Sequence, residues 1–189
     1  GSGQTISQNV VHSLYNTSNA AITPAQNVAV VVAGIYYDGG INGTNIIEGN
    51  FVHSLYLDSL STSAELNGMR FDSGCTFTAQ NNMVRVGLDA SGASTASAAE
   101  VRGLYDNDNG ANHARNFIHN SVYVGGTATS GSTKTFAYSS SSQNNSRDIR
   151  NNIFVNARRN SGGTGKHYAM TNGSVASPPP GLTSDYNII

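Results

Sequence analysis

Hydrophobic positions in this chain come in bursts of about four to six residues that alternate with polar ones and are cut off by Gly, Asn, Asp and Ser. The bursts are rich in β-branched and aromatic residues, a pattern that predicts short strands separated by tight turns. Helical spacing is nearly absent. The best helical candidate, 93–101, is rich in Ala and Ser and reads as at most a short turn within a loop. The longest apolar run, around 28–33, is strand-sized and far short of the roughly 18 residues of a membrane span.

The bursts repeat. Asn9-Val-Val-His12-Ser-Leu-Tyr15 returns as Asn50-Phe-Val-His53-Ser-Leu-Tyr56, and looser copies begin at Asn82, Asn120, Asn152 and Asn187. The steps between these asparagines are 41, 32, 38, 32 and 35 residues. A second element, Gly34-Ile-Tyr-Tyr37-Asp, returns at Gly68 and Gly103 and more weakly at Ala137 and Ala169, in steps of 34, 35, 34 and 32. Two motifs sharing one period predict a parallel β-solenoid, each copy pairing with its own equivalent one coil above and one below. The expected fold is all-β, about five coils, with Ser/Thr/Gly-rich loops at 57–66, 89–100 and 125–134 absorbing the variation in step. Stacked Asn side chains, each carrying a donor and an acceptor, are expected to form a ladder through Asn9, Asn50, Asn82, Asn120, Asn152 and Asn187. The apolar residues beside them, Val10, Phe51, Met83 and Ile153, are expected to fill the interior.

Composition narrows the picture. Ser, Thr, Asn and Gly make up 83 of 189 residues, while charged residues are 11% with a net charge of −1. That balance supplies no basic stripe for nucleic acid and no electrostatic membrane anchor. A single cysteine, Cys75, excludes an internal disulfide framework and is expected to be a small buried apolar group.

The runs Gly-Ile-Tyr-Tyr and Gly-Asn-Phe-Val-His-Ser resemble the repeat of right-handed parallel β-helices of the pectate-lyase-like superfamily. Asn120-Ser-Val-Tyr-Val-Gly-Gly, Arg150-Asn-Asn-Ile-Phe-Val-Asn-Ala-Arg and Gly163-Thr-Gly-Lys-His-Tyr-Ala resemble, more narrowly, modules of large secreted repeat-rich bacterial surface proteins. The resemblance covers about residues 4–189 and implies a right-handed β-helix in an extracellular or cell-surface protein. The superfamily includes polygalacturonases, whose Asn-Thr-Asp, Asp-Asp, Gly-His-Gly and Arg-Ile-Lys motifs do not occur here, so no enzymatic activity and no catalytic residue is assigned.

Other residues carry weaker chemical signals. Asp106 and Asp108, in Asp-Asn-Asp-Asn-Gly, match the start of a calcium loop, but Phe117 stands where the closing Glu belongs, which favours a solvated turn. His12 and His53 are equivalent in adjacent coils and should lie about 5 Å apart; they read as a metal or pH-sensitive pair, or as a repeated outward position. Arg147, Arg150, Arg158 and Arg159 form the one basic cluster, with Arg158 and Arg159 the candidate glycan contacts. Tyr36, Tyr37, Tyr105, Tyr123 and Tyr138 divide between core positions and outward ones able to stack on sugar rings.

Three functions fit these features: a structural or adhesive module, a carbohydrate-binding or polysaccharide-degrading domain, and an ice-binding solenoid hinted at by Thr5, Thr44 and Thr76. Residues 1–3 read as a tag or cut site and 4–189 as one domain. Neither end reads as a polar cap, so the expected partners are flanking repeats or a second copy stacked end to end, with glycans as a further possibility.

Overall fold

The computed structural model describes residues 3–17, 31–39, 43–59, 61, 63–72, 74–95, 98–108, 113–141, 145–173 and 179–189. These contain strands and turns and no helix. Three parallel sheets run the length of a β-solenoid. Sheet 1 stacks Thr5–Ser7, Asn45–Glu48, Phe77–Gln80, Ala114–Ile118, Ser146–Arg150 and Leu182–Asp185. Sheet 2 stacks Val10–His12, Phe51–His53, Met83–Val86, Ser121–Val124 and Ile153–Asn156. Sheet 3 stacks Val31–Tyr37, Glu65–Phe71, Glu100–Asp106, Thr135–Ser140 and His167–Thr171. Pairing follows the sequence repeat: Val11 lies beside Val52, Val52 beside Val84, and Val84 beside Val122.

The corner between sheets 1 and 2 is the most regular feature. The residue before each ladder asparagine (Gln8, Gly49, Asn81, His119, Asn151 and Tyr186) has φ between +52° and +62°. A single left-handed residue turns the chain sharply while the hydrogen bonds of the rungs continue through it, as from Asn81 N–H to the Ile118 carbonyl. Directly after it, the asparagine points inward. The Oδ1 atoms of Asn50, Asn82, Asn120, Asn152 and Asn187 each accept from the preceding asparagine's Nδ2 at 2.9–3.0 Å and from its main-chain N–H at 2.8–3.1 Å. Each of the same five residues also donates through Nδ2 to a sheet 1 carbonyl of the preceding coil, from Ile6 through Ile149. The ladder is therefore polar: each Oδ1 from Asn50 to Asn187 accepts from the asparagine of the coil before, and each Nδ2 from Asn9 to Asn152 donates to the asparagine of the coil after.

Because side chains alternate along a strand, an inward Asn sends the next residue outward and the one after it inward. Val52, Val84, Val122 and Phe154 accordingly line the interior, with Val11 partly buried at the first coil. This corrects the expectation for Val10, Phe51, Met83 and Ile153, which lie on the outer surface; Val10 is 62%, Met83 55% and Ile153 41% exposed. The error was one of parity, since a corner asparagine and its neighbour cannot both face in. Inside, Phe71 stacks on Phe77 (4.7 Å between centroids), Phe117 packs edge-on to both, and Tyr138 continues the chain of rings to Phe154.

The recurring glycine of the second motif has a steric cause. A Cβ on Gly68 would lie 2.3 Å from Val84 Cγ1 and 2.6 Å from the Gly103 carbonyl oxygen, and Gly103 meets Val122 and Ala137 in the same way. Sheets 2 and 3 touch there with no room for a methyl group. The loops contribute short ladders of their own. Tyr15–Asn16 pairs with Tyr56–Leu57, Thr127–Ala128 pairs with Arg159–Asn160, and Leu88 bridges Ser94. Among the described residues of 93–101 there is no helix: Glu100–Asp106 is a strand and Ala98 and Ala99 are buried.

Replacing Asn82 by Leu leaves the Asn50 N–H and the Ile47 carbonyl without that partner in a buried corner, at an expected cost of about 2–4 kcal/mol. Gly68→Ala should cost about 1–3 kcal/mol by overpacking, and Ser132→Ala, on the surface, less than about 0.5 kcal/mol. Denaturant unfolding of the three variants checks this ordering; equal shifts would mean the ladder and the sheet contact do not hold the coils.

Candidate functional site

Outward positions of sheet 2 form two rows along the solenoid. Val10, Phe51, Met83, Ser121 and Ile153 make one; His12, His53, Arg85, Tyr123 and Val155 make the other. The His12 and His53 rings stack at 5.1 Å with planes 10° apart. Each Nδ1 lies 2.9 Å from the hydroxyl of the following serine, Ser13 or Ser54, and both serines are left-handed. Partial burial, then His12 and Arg85, hold the His53 imidazole below its ordinary value. The pair occupies a repeated outward position that Arg85 and Tyr123 take further along. Among the described residues no group of three or more His, Cys, Asp or Glu comes together as a metal site.

Asp106 and Asp108 are fully buried, which overturns the solvated turn. The Arg115 guanidinium stands between them, with Nη1 2.5 Å from Asp106 Oδ1 and Nη2 3.1 Å from Asp108 Oδ2. Ser140 donates to Asp106 at 2.8 Å, Asn145 Nδ2 donates to Asp108 at 2.6 Å, and His113 Nδ1 lies 2.9 Å from Asp108. The positive charge that a calcium ion would bring is thus supplied by an arginine of the wall. Arg115 also donates to the Phe71 and Asp72 carbonyls, tying three coils together. Burial pushes the Asp106 carboxyl above its ordinary value despite Arg115. Cys75 is buried nearby, its Sγ 3.7 Å from Arg115 Nη2, and burial pushes its thiol up, away from the reactive thiolate.

The basic cluster does not assemble. Arg147 is buried and donates to the Asn145 and Pro180 carbonyls; Arg150 is exposed and paired with Asp148. Arg158 is buried too, donating to the Gly125 and Thr95 carbonyls, and desolvation pushes it down to about 10, still protonated at neutral pH. Of the two candidate glycan contacts only Arg159 faces solvent. Tyr37 and Tyr138 are core residues, while Tyr36 and Tyr123 are exposed. On the outer face of sheet 3, Tyr36 and Tyr105 flank the Arg70 guanidinium. Arg70 bonds Glu65 and Asp72, and Tyr36 donates to Asp72 at 2.7 Å. Thr44 and Thr76 align, but Thr5 stacks on Ile46 and Thr78, so the three build no single row.

Sequence reasoning missed Arg115, His113 and Asn145. Its available signal was Arg115 itself, a charged residue at an inward position of a strand whose neighbour two along, Phe117, is core. Both carboxylates serve the wall: they are engaged by a guanidinium, an amide and a hydroxyl inside the coil, an arrangement that fixes three turns to one another.

Arg115→Met should destabilise by about 3–5 kcal/mol, because it strands buried carboxylates without their counter-charge. The deficit should shrink on acidification. With Arg115 gone, Asp106 holds its proton more tightly folded than unfolded, so the native state binds more protons and gains stability as pH falls from 7 toward 4. Urea unfolding of wild type and variant across that range checks the sign; a deficit that grows at low pH refutes it. No family model, curated protein or solved structure matches the chain significantly.

Proposed function

We propose that the chain is a structural or adhesive module of an extracellular bacterial surface protein or fibre, which extends by axial stacking of coils against flanking repeats or a second copy. One observation carries this reading: the asparagine ladder is polar and open at both ends. Among the described residues nothing donates to Asn9 Oδ1, and the Asn187 main-chain N–H has no acceptor. Elsewhere in the ladder those two groups bond to each other, so a further coil at either end continues the same pattern. Thr5–Ser7 and Val10–His12 each pair on one side only, as does Leu182–Asp185. Unpaired edges of this kind recruit further strands. The pectate-lyase-like likeness and the surface location belong to this proposal and rest on the repeat residues. Exposed Tyr36 and Tyr123 favour a carbohydrate-binding role as the second reading.

Light scattering over a concentration series, with electron microscopy, tests the stacking. The expected outcome is concentration-dependent growth into rods, abolished by Ile188→Lys at the exposed end of sheet 2, since an edge lysine blocks strand addition. A strictly monomeric particle at high concentration that releases reducing sugar from a polyuronate supports the carbohydrate reading instead.

A further inference from the structure

The outer face of sheet 2 is interrupted at one place. In the row Phe51, Met83, Ser121 and Ile153, the small Ser121 sits between two large neighbours and leaves a notch of about 260 Å³. Its floor is the sheet itself at Val84 and Val122, and Tyr123 and Val155 close its side. Exposed apolar surface gathered around a concavity marks a binding place more often than scattered apolar residues do.

Arg85 is the one charged residue lining the notch. The five strands of sheet 2 contain no Asp or Glu. Arg85 borders the notch and forms no ion pair among the described residues; its Nη1 donates to the Asp89 main-chain carbonyl. The Asp89 carboxylate is turned away into its own loop, accepting from Ser91 and Ala93. Arg85 thus keeps donors for an incoming anion, and a guanidinium matches a carboxylate in a two-bond fork.

We propose that this notch binds a small amphipathic carboxylate, its flat aryl or short acyl part over Ser121 and its carboxylate on Arg85. The size of the face argues against a protein partner. Five strands about 4.8 Å apart and about 10 Å long offer only ~240 Å² per side, well under the ~800 Å² of a stable protein interface. The site lies on the flank of the rod and goes beyond axial stacking, on which it does not depend.

Fluorescence titration with 2-naphthoate tests it, alongside the neutral 2-naphthalenemethanol and a naphthyl ammonium cation. One naphthoate per chain is expected, with the alcohol at least tenfold weaker and the cation weaker still. Ser121→Phe should fill the notch and abolish binding while leaving the melting temperature unchanged, since Phe51 already occupies the same row. Ser121→Met provides the same test should the phenylalanine disturb folding. Arg85→Gln should reduce naphthoate to the affinity of the alcohol. The proposal is overturned if Ser121→Phe and Ser121→Met still bind, or if Arg85→Gln leaves the preference for the anion intact. It is equally overturned if an oligouronate binds where naphthoate does not, or if light scattering finds a dimer that Ser121→Phe dissolves.

Discussion

Every coil of this molecule must satisfy the polar groups of a sharp inward corner using only its own equivalents above and below. In a parallel stack a residue's nearest neighbours are copies of itself, so a buried polar side chain must be able to bond to its own kind. A carboxylate would repel its copy and a guanidinium would do the same. The Asn amide carries one acceptor able to take two bonds and one donor group able to give two, and the corner uses both. That self-complementarity allows the left-handed residue before each Asn, because the strain of the turn is shared with hydrogen bonds that leave no rung unpaired. The remaining features depend on this fixed register: the aligned valines, the glycine contact of sheets 2 and 3 and the stacked rings.

The same rule bears on the buried charges of sheet 1. Arg115 and Arg147 are neighbours in sheet 1, a like-charged pair that stacking alone would forbid. Arg115 is held by two carboxylates from the end of a sheet 3 strand and the turn after it, and Arg147 by carbonyls of its own turn and of Pro180. The cluster therefore crosses the solenoid, where the ladder runs along it. It locks turns of unequal length, which the repeat by itself leaves unregistered.

Much of the fold was readable because periodicity is a property of the sequence. Asn9, Asn50, Asn82, Asn120, Asn152 and Asn187 mark the coil, and Gly34, Gly68 and Gly103 mark the sheet contact. Which face each strand presents was not readable in the same way. The outward row at Val10 and the inward row at Val11 are both apolar, so hydrophobicity carries no sign there, and only the parity imposed by an inward Asn resolves it. Asp106, Asp108 and Arg158 were misplaced for a different reason. Their composition is that of a surface turn, and their burial depends on groups brought from other coils, Arg115 and Asn145 for the acids and the Gly125 and Thr95 carbonyls for Arg158.

The inner and outer faces answer to different constraints. Inside, each residue must match the one above and the one below, and the corner asparagines and the sheet 2 valines repeat closely. Outside, solvent covers the side chains and the rows are free to change from coil to coil: His12, His53, Arg85, Tyr123 and Val155 share one position and little chemistry. Any chemistry specific to this chain must therefore come from where an outward row breaks its own pattern. A strictly repeated exterior can only offer one surface many times over, which suits a rod. The row of large apolar residues broken by Ser121 is a departure of this kind, and it stands beside Arg85, which forms no ion pair among the described residues. The regular interior supplies a rigid floor, and a single small residue on that floor is enough to make a concavity where a flat sheet would have none.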